Sequence, residues 1–226
     1  MKGKRRREGR SGAGSSSQGV GAADGRALER QALELGLAGE MKAARELLEE
    51  ALVLVPLQPA ARLLLADCHA AEGRVALAYD LYRNVAFDAE CPWRVLAAAV
   101  ERLGRLGAAA DAVQACQAQV SRDPGHHEAH FAIAFYGRRL GRSAEAVLPH
   151  VRQAFELAPE VPLYRITLAC LLDACGEQEE ARELLREVPM DAVQCRCCLR
   201  RMATILQRAL TPDRPAAETP PGNGPA

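Results

Sequence analysis

Apolar residues recur at spacings of three and four along most of the chain, in short runs that end at glycine or proline. The first run covers residues 28 to 35, and Gly39 then supplies the backbone freedom that ends a helix. The second run covers residues 41 to 55. It is stopped by Pro56, because proline cannot donate the backbone hydrogen bond of a continuing helix. The pattern predicts a helix, a tight turn, a second helix and a short link.

This helix pair repeats with a period of 34 residues. Two sets of small residues lie 34, 34, 34 and 35 positions apart: five glycines that end the first helices, and five alanines five positions later. They are Gly39, Gly73, Gly107, Gly141 and Gly176, followed by Ala44, Ala78, Ala112, Ala146 and Ala181. Because both sets keep the same phase, the chain is predicted to be an array of one supersecondary unit in which the alanines pack closely.

The period and the pattern resemble the tetratricopeptide repeat, whose signature places large apolar, small and aromatic residues and a closing proline at set offsets. At the Tyr position of that signature the chain has Leu35, His69, Leu103, Gly137 and Leu172. At the Phe position it has Leu48, Tyr82, Cys116, His150 or Val151, and Leu185; the closing prolines are Pro56, Pro92, Pro124 and Pro159. Single repeats depart from the signature, whereas the array keeps its spacing.

The resemblance implies an all-α fold, a right-handed superhelical array of about five helix-turn-helix units with a C-terminal capping helix. We expect the units at residues 25–58, 59–92, 93–126, 127–161 and 162–195, and the capping helix at 191–210. Residues 1–24 are rich in Gly, Ser and Arg, which predicts a disordered basic tail. Residues 211–226 predict a disordered proline-rich tail.

The charge of the 226-residue chain is balanced overall but unevenly distributed. It has 29 basic and 29 acidic residues. Residues 1–26 contain seven basic and two acidic residues, so the rest of the chain has 22 basic and 27 acidic residues and a charge of −5. A net-negative array argues against nucleic-acid binding by the repeat surface. Residues 2–10 could contact nucleic acid, acidic lipid or an import receptor, or could be a solvated tail.

Neither a secretory signal nor a membrane span is predicted, because no apolar stretch follows the basic start and no run of 18 apolar residues occurs. We therefore expect a cytoplasmic protein with reduced thiols. Cys68, Cys116 and Cys170 fall at apolar helical positions, where a thiol packs as a small hydrophobe.

Two clusters contain metal-ligating side chains, but neither has the spacing of a zinc motif. Cys195, Cys197 and Cys198 lie within four residues at the start of a predicted helix, and buried or reactive thiols are the alternative. His126 and His130 are one helical turn apart, and side chains facing solvent or the groove are the alternative. The phosphate-loop pattern GxxxxGK and the nucleophile pattern GxSxG are both absent. We predict no metal, no cofactor and no catalytic set.

In tetratricopeptide arrays the first helix of each unit lines a concave groove that holds a partner's peptide or helix, and the resemblance implies the same here. The equivalent positions include Glu29 and Ile166, and the candidate contacts are Asp67, Arg94, Glu101, Arg105, Phe131, Phe135, Arg138 and Asp173. Two aromatic rings beside a cation suit a peptide with an apolar residue and a carboxylate. The alternative is that both Phe131 and Phe135 pack between helices.

The chaperone-binding branch of this family uses paired groove asparagines and lysines to hold a terminal carboxylate. This chain has only Asn84 and Asn223, and its three lysines all precede residue 43, which argues against that role. The sequence therefore predicts a non-catalytic protein-interaction scaffold or adaptor with an unidentified protein partner. The alternatives are a nucleic-acid-associated regulator tethered by the basic tail, and a metal or thiol-redox protein that uses the cluster from Cys195 to Cys198.

Overall fold

The structure, a computed structural model, describes residues 16–186, 188, 193 and 195–208. These residues form eleven helices, and the chain divides into two compact units between Ala108 and Ala109. The first unit contains α1 (Ser16–Leu37), α2 (Met41–Leu54), α3 (Pro59–Ala71), α4 (Val75–Ala86) and α5 (Trp93–Arg105). The second contains α6 (Ala109–Arg122), α7 (His127–Arg139), α8 (Ala144–Leu157), α9 (Pro162–Cys175), α10 (Gln178–Arg186) and α11 (Arg196–Arg208). Within each unit consecutive helices pack against each other, so the predicted all-α array of helix pairs is confirmed.

Each turn glycine closes its helix with the same hydrogen bonds. Gly39 and its four equivalents have φ between 76° and 87°, in the left-handed region that residues with a Cβ adopt only at a cost. After α1, the Glu40 amide donates to the Leu35 carbonyl at 2.9 Å and the Gly39 amide donates to the Gly36 carbonyl at 3.1 Å. This pair of bonds is a Schellman motif, which satisfies carbonyls left without partners at a helix end. It recurs after α3, α5, α7 and α9.

In the first unit α1 approaches its neighbours at two glycines. A Cβ on Gly25 would lie 2.8 Å from Val55 Cγ2, and a Cβ on Gly36 would lie 2.7 Å from Leu64 Cδ2. The missing side chains therefore let α1 come close both to the end of α2 and to α3.

The start of α1 differs from the prediction. The helix begins at Ser16, whereas residues 1–24 were predicted to be a disordered tail with the first repeat starting at residue 25. Glycine and serine in residues 16–24 favour disorder by composition, but this segment forms the first turns of α1, just before Gly25, where the helix comes close to Val55. Residues 1–15 and 209–226, which include the basic segment and the proline-rich tail, lie outside the described residues.

The second unit is closed by its last helix. α11 contacts α9 and α10, and its Met202 and Ile205 are buried in the same apolar cluster as Leu168 and Leu172 of α9. This confirms the predicted capping helix. The cap is needed because the outermost helix pair of an array would otherwise expose its apolar face.

One additional turn residue changes the register of the fourth repeat. The second helices of the other repeats start two residues after the turn glycine, whereas α8 starts three residues after Gly141, with Ser143 as its N-cap. One residue corresponds to a rotation of about 100°. Ala146 is consequently exposed, while Val147 and Val151 are buried.

This register shows which residues of α8 are buried, and it differs from the predicted burial of Ala146. The prediction that all five alanines of the ladder pack inside is wrong for Ala146, whereas the other four are fully buried. Val151, not His150, occupies the buried Phe position. Val147 also compensates for Gly137 at the Tyr position, because its Cγ1 lies 3.1 Å from where a Cβ of Gly137 would be.

Candidate binding surface

In the first unit the α3 carboxylate of Asp67 joins three helices. It accepts a hydrogen bond from the Tyr82 hydroxyl of α4 at 2.7 Å, and bonds from Arg102 Nε and Nη2 of α5 at 3.1 and 3.2 Å. The hydrogen bonds that Arg102 donates to Asp67 raise the pKa of Arg102, and burial together with Asp67 raises the pKa of Tyr82. Asp67, a predicted groove contact, therefore ties α3 to α4 and α5.

Three other candidate contacts lie exposed on α5. Glu101 accepts a hydrogen bond from Arg105 Nη2 at 2.5 Å, a pairing one helical turn apart, and a second from Arg102 Nη1 at 3.5 Å. Arg94 lies near the start of the same helix and forms no ion pair with a described residue. The first helices of this unit are neighbours, because α3 contacts both α1 and α5.

In the second unit the two phenylalanines of α7 have different surroundings. The Phe131 ring lies 4.8 Å from the ring of Tyr164 on α9 and packs with Ala154 and Ala158. Phe135, one turn later, keeps half of its surface exposed, and its ring meets Tyr136 edge to face at 5.0 Å. The alternative of packing between helices therefore describes Phe131 and not Phe135.

Three arginines follow the exposed ring in the sequence, at the C-terminal end of α7 and in the turn after it. The Arg139 guanidinium lies 6.0 Å from the Phe135 ring centroid, and Arg138 Nη1 donates to the Arg142 carbonyl oxygen. Within the described part of the chain, none of Arg138, Arg139 and Arg142 forms an ion pair. The backbone amide of Glu145 lowers the pKa of its carboxyl most, and the Ser143 hydroxyl and the charge of Arg138 lower it as well. This end of α7 is positively charged.

The remaining predicted groove positions divide between the surface and the interior. Asp173 on α9 is partly exposed. Ile166 is buried in the core of the second unit, and Glu29 is 3% exposed, so neither can contact a partner. Glu29 instead accepts hydrogen bonds from Arg26 at 2.6 Å and from the Gln58 amide at 2.5 Å. It thereby caps α3, whose N-cap residue Gln58 makes no side-chain capping bond.

The histidines near the start of α7 have separate hydrogen bonds. His126 Nδ1 accepts a bond from the Ala129 amide at 3.4 Å, and a 2.9 Å hydrogen bond links His127 Nδ1 to the Tyr164 hydroxyl. Burial and then the charges of two nearby glutamates raise the pKa of Tyr164 to about 12. His130 contacts His150 on α8, with 3.2 Å between their Nδ1 atoms. His126 and His130, which sequence spacing suggested as a metal pair, therefore have different partners.

The cysteines among the described residues are free thiols. Cys68 and Cys116 are buried thiols at the apolar positions predicted for them, and burial raises the pKa of Cys116 to about 12. Cys195 is exposed just before α11, and the side chains of Cys197 and Cys198 lie outside the described residues. Among the residues that are described, no three His, Cys, Asp or Glu side chains come together as a metal site.

A surface depression of about 520 Å³ lies beside α3 and α4. Arg62 lines it, donates to Asn84 Oδ1 at 2.5 Å and pairs with Asp88. Arg62 Nε is buried without a hydrogen-bond partner, and the residues that line the depression include no nucleophile beside a base. No described helix has the length and apolar character that a membrane span requires.

Comparison with known proteins relates this geometry to a fold. No protein-family model and no curated protein sequence matches the chain. A solved tetratricopeptide repeat protein from Parabacteroides merdae is similar over 83% of this chain and 74% of its own, with 15% identity and a TM-score of 0.65. An ArsTM double mutant of MamA from RS-1 is similar over 84% and 98%, with 13% identity and a TM-score of 0.59. MamA from AMB-1 is similar over 73% and 96%, with 17% identity and a TM-score of 0.53. The chain therefore has the tetratricopeptide repeat fold.

Proposed function

We propose that this chain is a non-catalytic scaffold or adaptor that binds a peptide or helix of a partner protein along the first helices of its repeats. The fold supports protein binding in general, since repeat arrays present an extended surface and no catalytic constellation is required. The observation that carries the proposal is the exposed Phe135 with Arg139 beside its ring, followed by arginines that form no ion pair with a described residue. No cofactor and no metal is needed.

Phe135 is suited to anchor a partner because half of a large apolar side chain remains to be buried. Full burial of a phenylalanine contributes about 1.5–3 kcal/mol, so the exposed half is worth about 1 kcal/mol on binding. Aromatic residues and arginine are also the types that most often dominate binding energy at interfaces. Arg139 beside the ring supplies a cation at the same place.

The charge around Phe135 favours a partner that carries carboxylates next to an apolar side chain. Arg138, Arg139 and Arg142 have no ion pair among the described residues, so a partner carboxylate would not have to displace one. Arginine binds a carboxylate with two parallel hydrogen bonds. A nucleic acid is less favoured, because the chain outside residues 1–26 has a formal charge of −5.

The other predicted contacts lie in both compact units and stay predictions. Arg94, Glu101 and Arg105 on α5, and Asp173 on α9, are exposed or partly exposed polar side chains. Exposed charges at an interface set orientation and association rate more than affinity. Asp67 and Phe131 contribute indirectly, because each is held in contacts between helices.

The proposal is tested by selecting a phage-displayed library of random peptides, about 12 residues long, on the full chain. We expect peptides in which Asp or Glu stands beside a Leu, Phe or Trp. Binding of the selected peptides should weaken about tenfold in Phe135→Ala and again in Arg138→Glu. Fluorescence anisotropy with labelled peptides measures both effects.

Arg186→Glu is the matched control, since it makes the same charge change at an exposed position of α10 in the second unit. It should leave peptide affinity unchanged. Failure to select any peptide would count against the scaffold function. Selected peptides that bind Phe135→Ala and Arg138→Glu as tightly as the original chain would place the site elsewhere on the molecule.

A further inference from the structure

Two histidines of the second unit meet between α7 and α8. His130 Nδ1 lies 3.2 Å from His150 Nδ1, and the ring centroids are 5.5 Å apart. His130 is 8% exposed, and His150 is partly exposed. The other ring nitrogen of His130, Nε2, lies 3.1 Å from the carbonyl oxygen of Pro124. The pair takes no part in the proposed binding surface.

The register of α8 creates this contact. Because Ser143 adds one residue before the helix, Val147 and Val151 turn inward and His150 takes the adjacent position, facing His130 on α7. Without the extra residue, His150 would occupy the buried Phe position itself. The pair is therefore specific to the fourth repeat.

The hydrogen bonds determine which nitrogens carry hydrogen. A carbonyl oxygen can only accept, so His130 Nε2 must be the donor to Pro124. In a neutral imidazole the other nitrogen is then an acceptor, so His130 Nδ1 accepts the bond that His150 Nδ1 donates. His150 Nε2 remains available for one more proton.

We propose that His130 and His150 form a pH-sensitive latch between α7 and α8, which closes around one shared N–H group and opens when both rings become cationic. A first added proton on His150 Nε2 leaves the shared bond in place. A second added proton must go to His130 Nδ1. Two N–H groups would then point at each other, although the space between the two nitrogens holds only one hydrogen atom. The folded pair can thus hold one added proton, whereas two separated imidazoles hold two.

The surroundings also oppose a charge on the pair. Burial lowers the pKa of His150 most, followed by the charge of His130 on α7 and the charge of Arg142 in the turn between α7 and α8. His130 faces the Pro124 carbonyl in the turn between α6 and α7, which is a neutral acceptor.

The direction of the pH effect follows from proton binding. A histidine in an unfolded chain has a pKa of about 6.5. The pKa of His150 is lower than this in the folded chain, so the unfolded state binds more protons once the pH falls below about 6.5. The contribution of the latch is fully present above that pH and is lost as the pH falls further.

Urea unfolding of the full chain at a series of values from about pH 8 to about pH 5 tests the latch. Below about pH 6.5 the unfolding equilibrium constant should rise by up to about tenfold per pH unit for each proton that only the unfolded state binds. His150→Gln keeps an amide that can donate to His130 and removes the second titrating ring, so its profile should be flatter. His126→Asn removes a different histidine and keeps a capping acceptor, so its profile should match that of the original chain.

A spectroscopic measurement tests the proposal independently of stability. In the chain labelled with ¹⁵N-histidine, the His130 signals at about pH 7.5 should show hydrogen on Nε2 and none on Nδ1. Hydrogen on His130 Nδ1, or equal pH profiles for the original chain and His150→Gln, would overturn the latch. Stabilisation by added zinc chloride that disappears in His150→Gln would overturn it as well, because the pair would then be a metal site.

Discussion

Several polar side chains that sequence patterns assign to a binding groove are used inside the fold. Asp67 links three helices of the first unit, and the buried Glu29 caps α3 through the Gln58 amide. A carboxylate removed from water is tolerated only where donors satisfy it, and both residues have such donors. Their contribution is to the packing of helices, so changes at these residues should affect stability before binding.

The substitution Asp67→Asn is predicted to destabilise the chain by about 1–2 kcal/mol. It removes the charge that Arg102 binds with two nitrogens and leaves fewer acceptors for the Tyr82 hydroxyl. The loss stays modest because Asp67 and Arg102 are each about a quarter exposed, and solvent screens the pair. Urea unfolding at neutral pH measures the difference. Asp80→Asn, at an exposed position of α4, should change stability by less than about 0.5 kcal/mol, and an equal loss in both variants would contradict the assignment.

At the scale of the element, the Schellman turn is the feature that the repeats share most closely. The five turns have the same backbone geometry and the same two hydrogen bonds, although the helices before them differ in sequence. Space does not restrict these positions, because a Cβ on Gly73 would meet no atom within 4 Å. The requirement for glycine is therefore conformational and comes from the positive φ alone.

Gly73→Ala is accordingly predicted to cost about 1 kcal/mol, and Gly73→Asn less, because asparagine tolerates the left-handed region better than alanine does. Helix propensity would give the opposite order of the two variants, since alanine is the better helix former. Thermal or urea unfolding of both variants decides between these orders. A Gly73→Ala variant as stable as the original chain would show that the turn can relax.

Across the whole molecule, the formal charge of zero is the sum of a basic N-terminal segment and a net-acidic remainder. Residues 2–15 carry six basic residues and one acidic residue, so the chain without them has 23 basic and 28 acidic residues, a charge of −5. Electrostatic attraction to a polyanion would therefore come from this segment. Binding at Phe135 would come from a short stretch of α7. The two activities should be separable.

Deletion of residues 2–15 is predicted to abolish any binding of a single-stranded oligonucleotide of about 20 nucleotides, while peptide binding at Phe135 persists. In the full chain such binding should fall steeply between about 50 and 200 mM salt, because it depends on released counterions. Anisotropy titrations of both probes measure this. Arg138→Glu should show the reverse pattern, with the peptide lost and the oligonucleotide kept. If oligonucleotide binding persists after the deletion, the prediction is wrong and the oligonucleotide binds to the repeats.

Sequence reasoning was most successful where the determining interactions are local. The predicted starts of the second to fifth repeats coincide with the observed starts of α3, α5, α7 and α9, at Pro59, Trp93, His127 and Pro162. The spacing of apolar residues and the positions of glycine and proline determine these helix ends within a few residues. It was least successful at Phe131 and Phe135, which have the same type and the same periodicity. The packing of Phe131 against Tyr164 of α9 and the alanines beside it separates this partly buried residue from the exposed Phe135.

The sequence by itself determined the array of helix pairs, its turns and its cap, since these depend on periodicity and on backbone conformations that single residues impose. The tertiary structure alone decided the roles of individual polar residues. Asp67 became a link between helices because Arg102, 35 residues away, reaches it, and His150 came to face His130 because one extra residue rotated α8. Contacts between residues distant in the chain depend on the packing of whole helices, and a linear pattern does not encode which side chains that packing brings together.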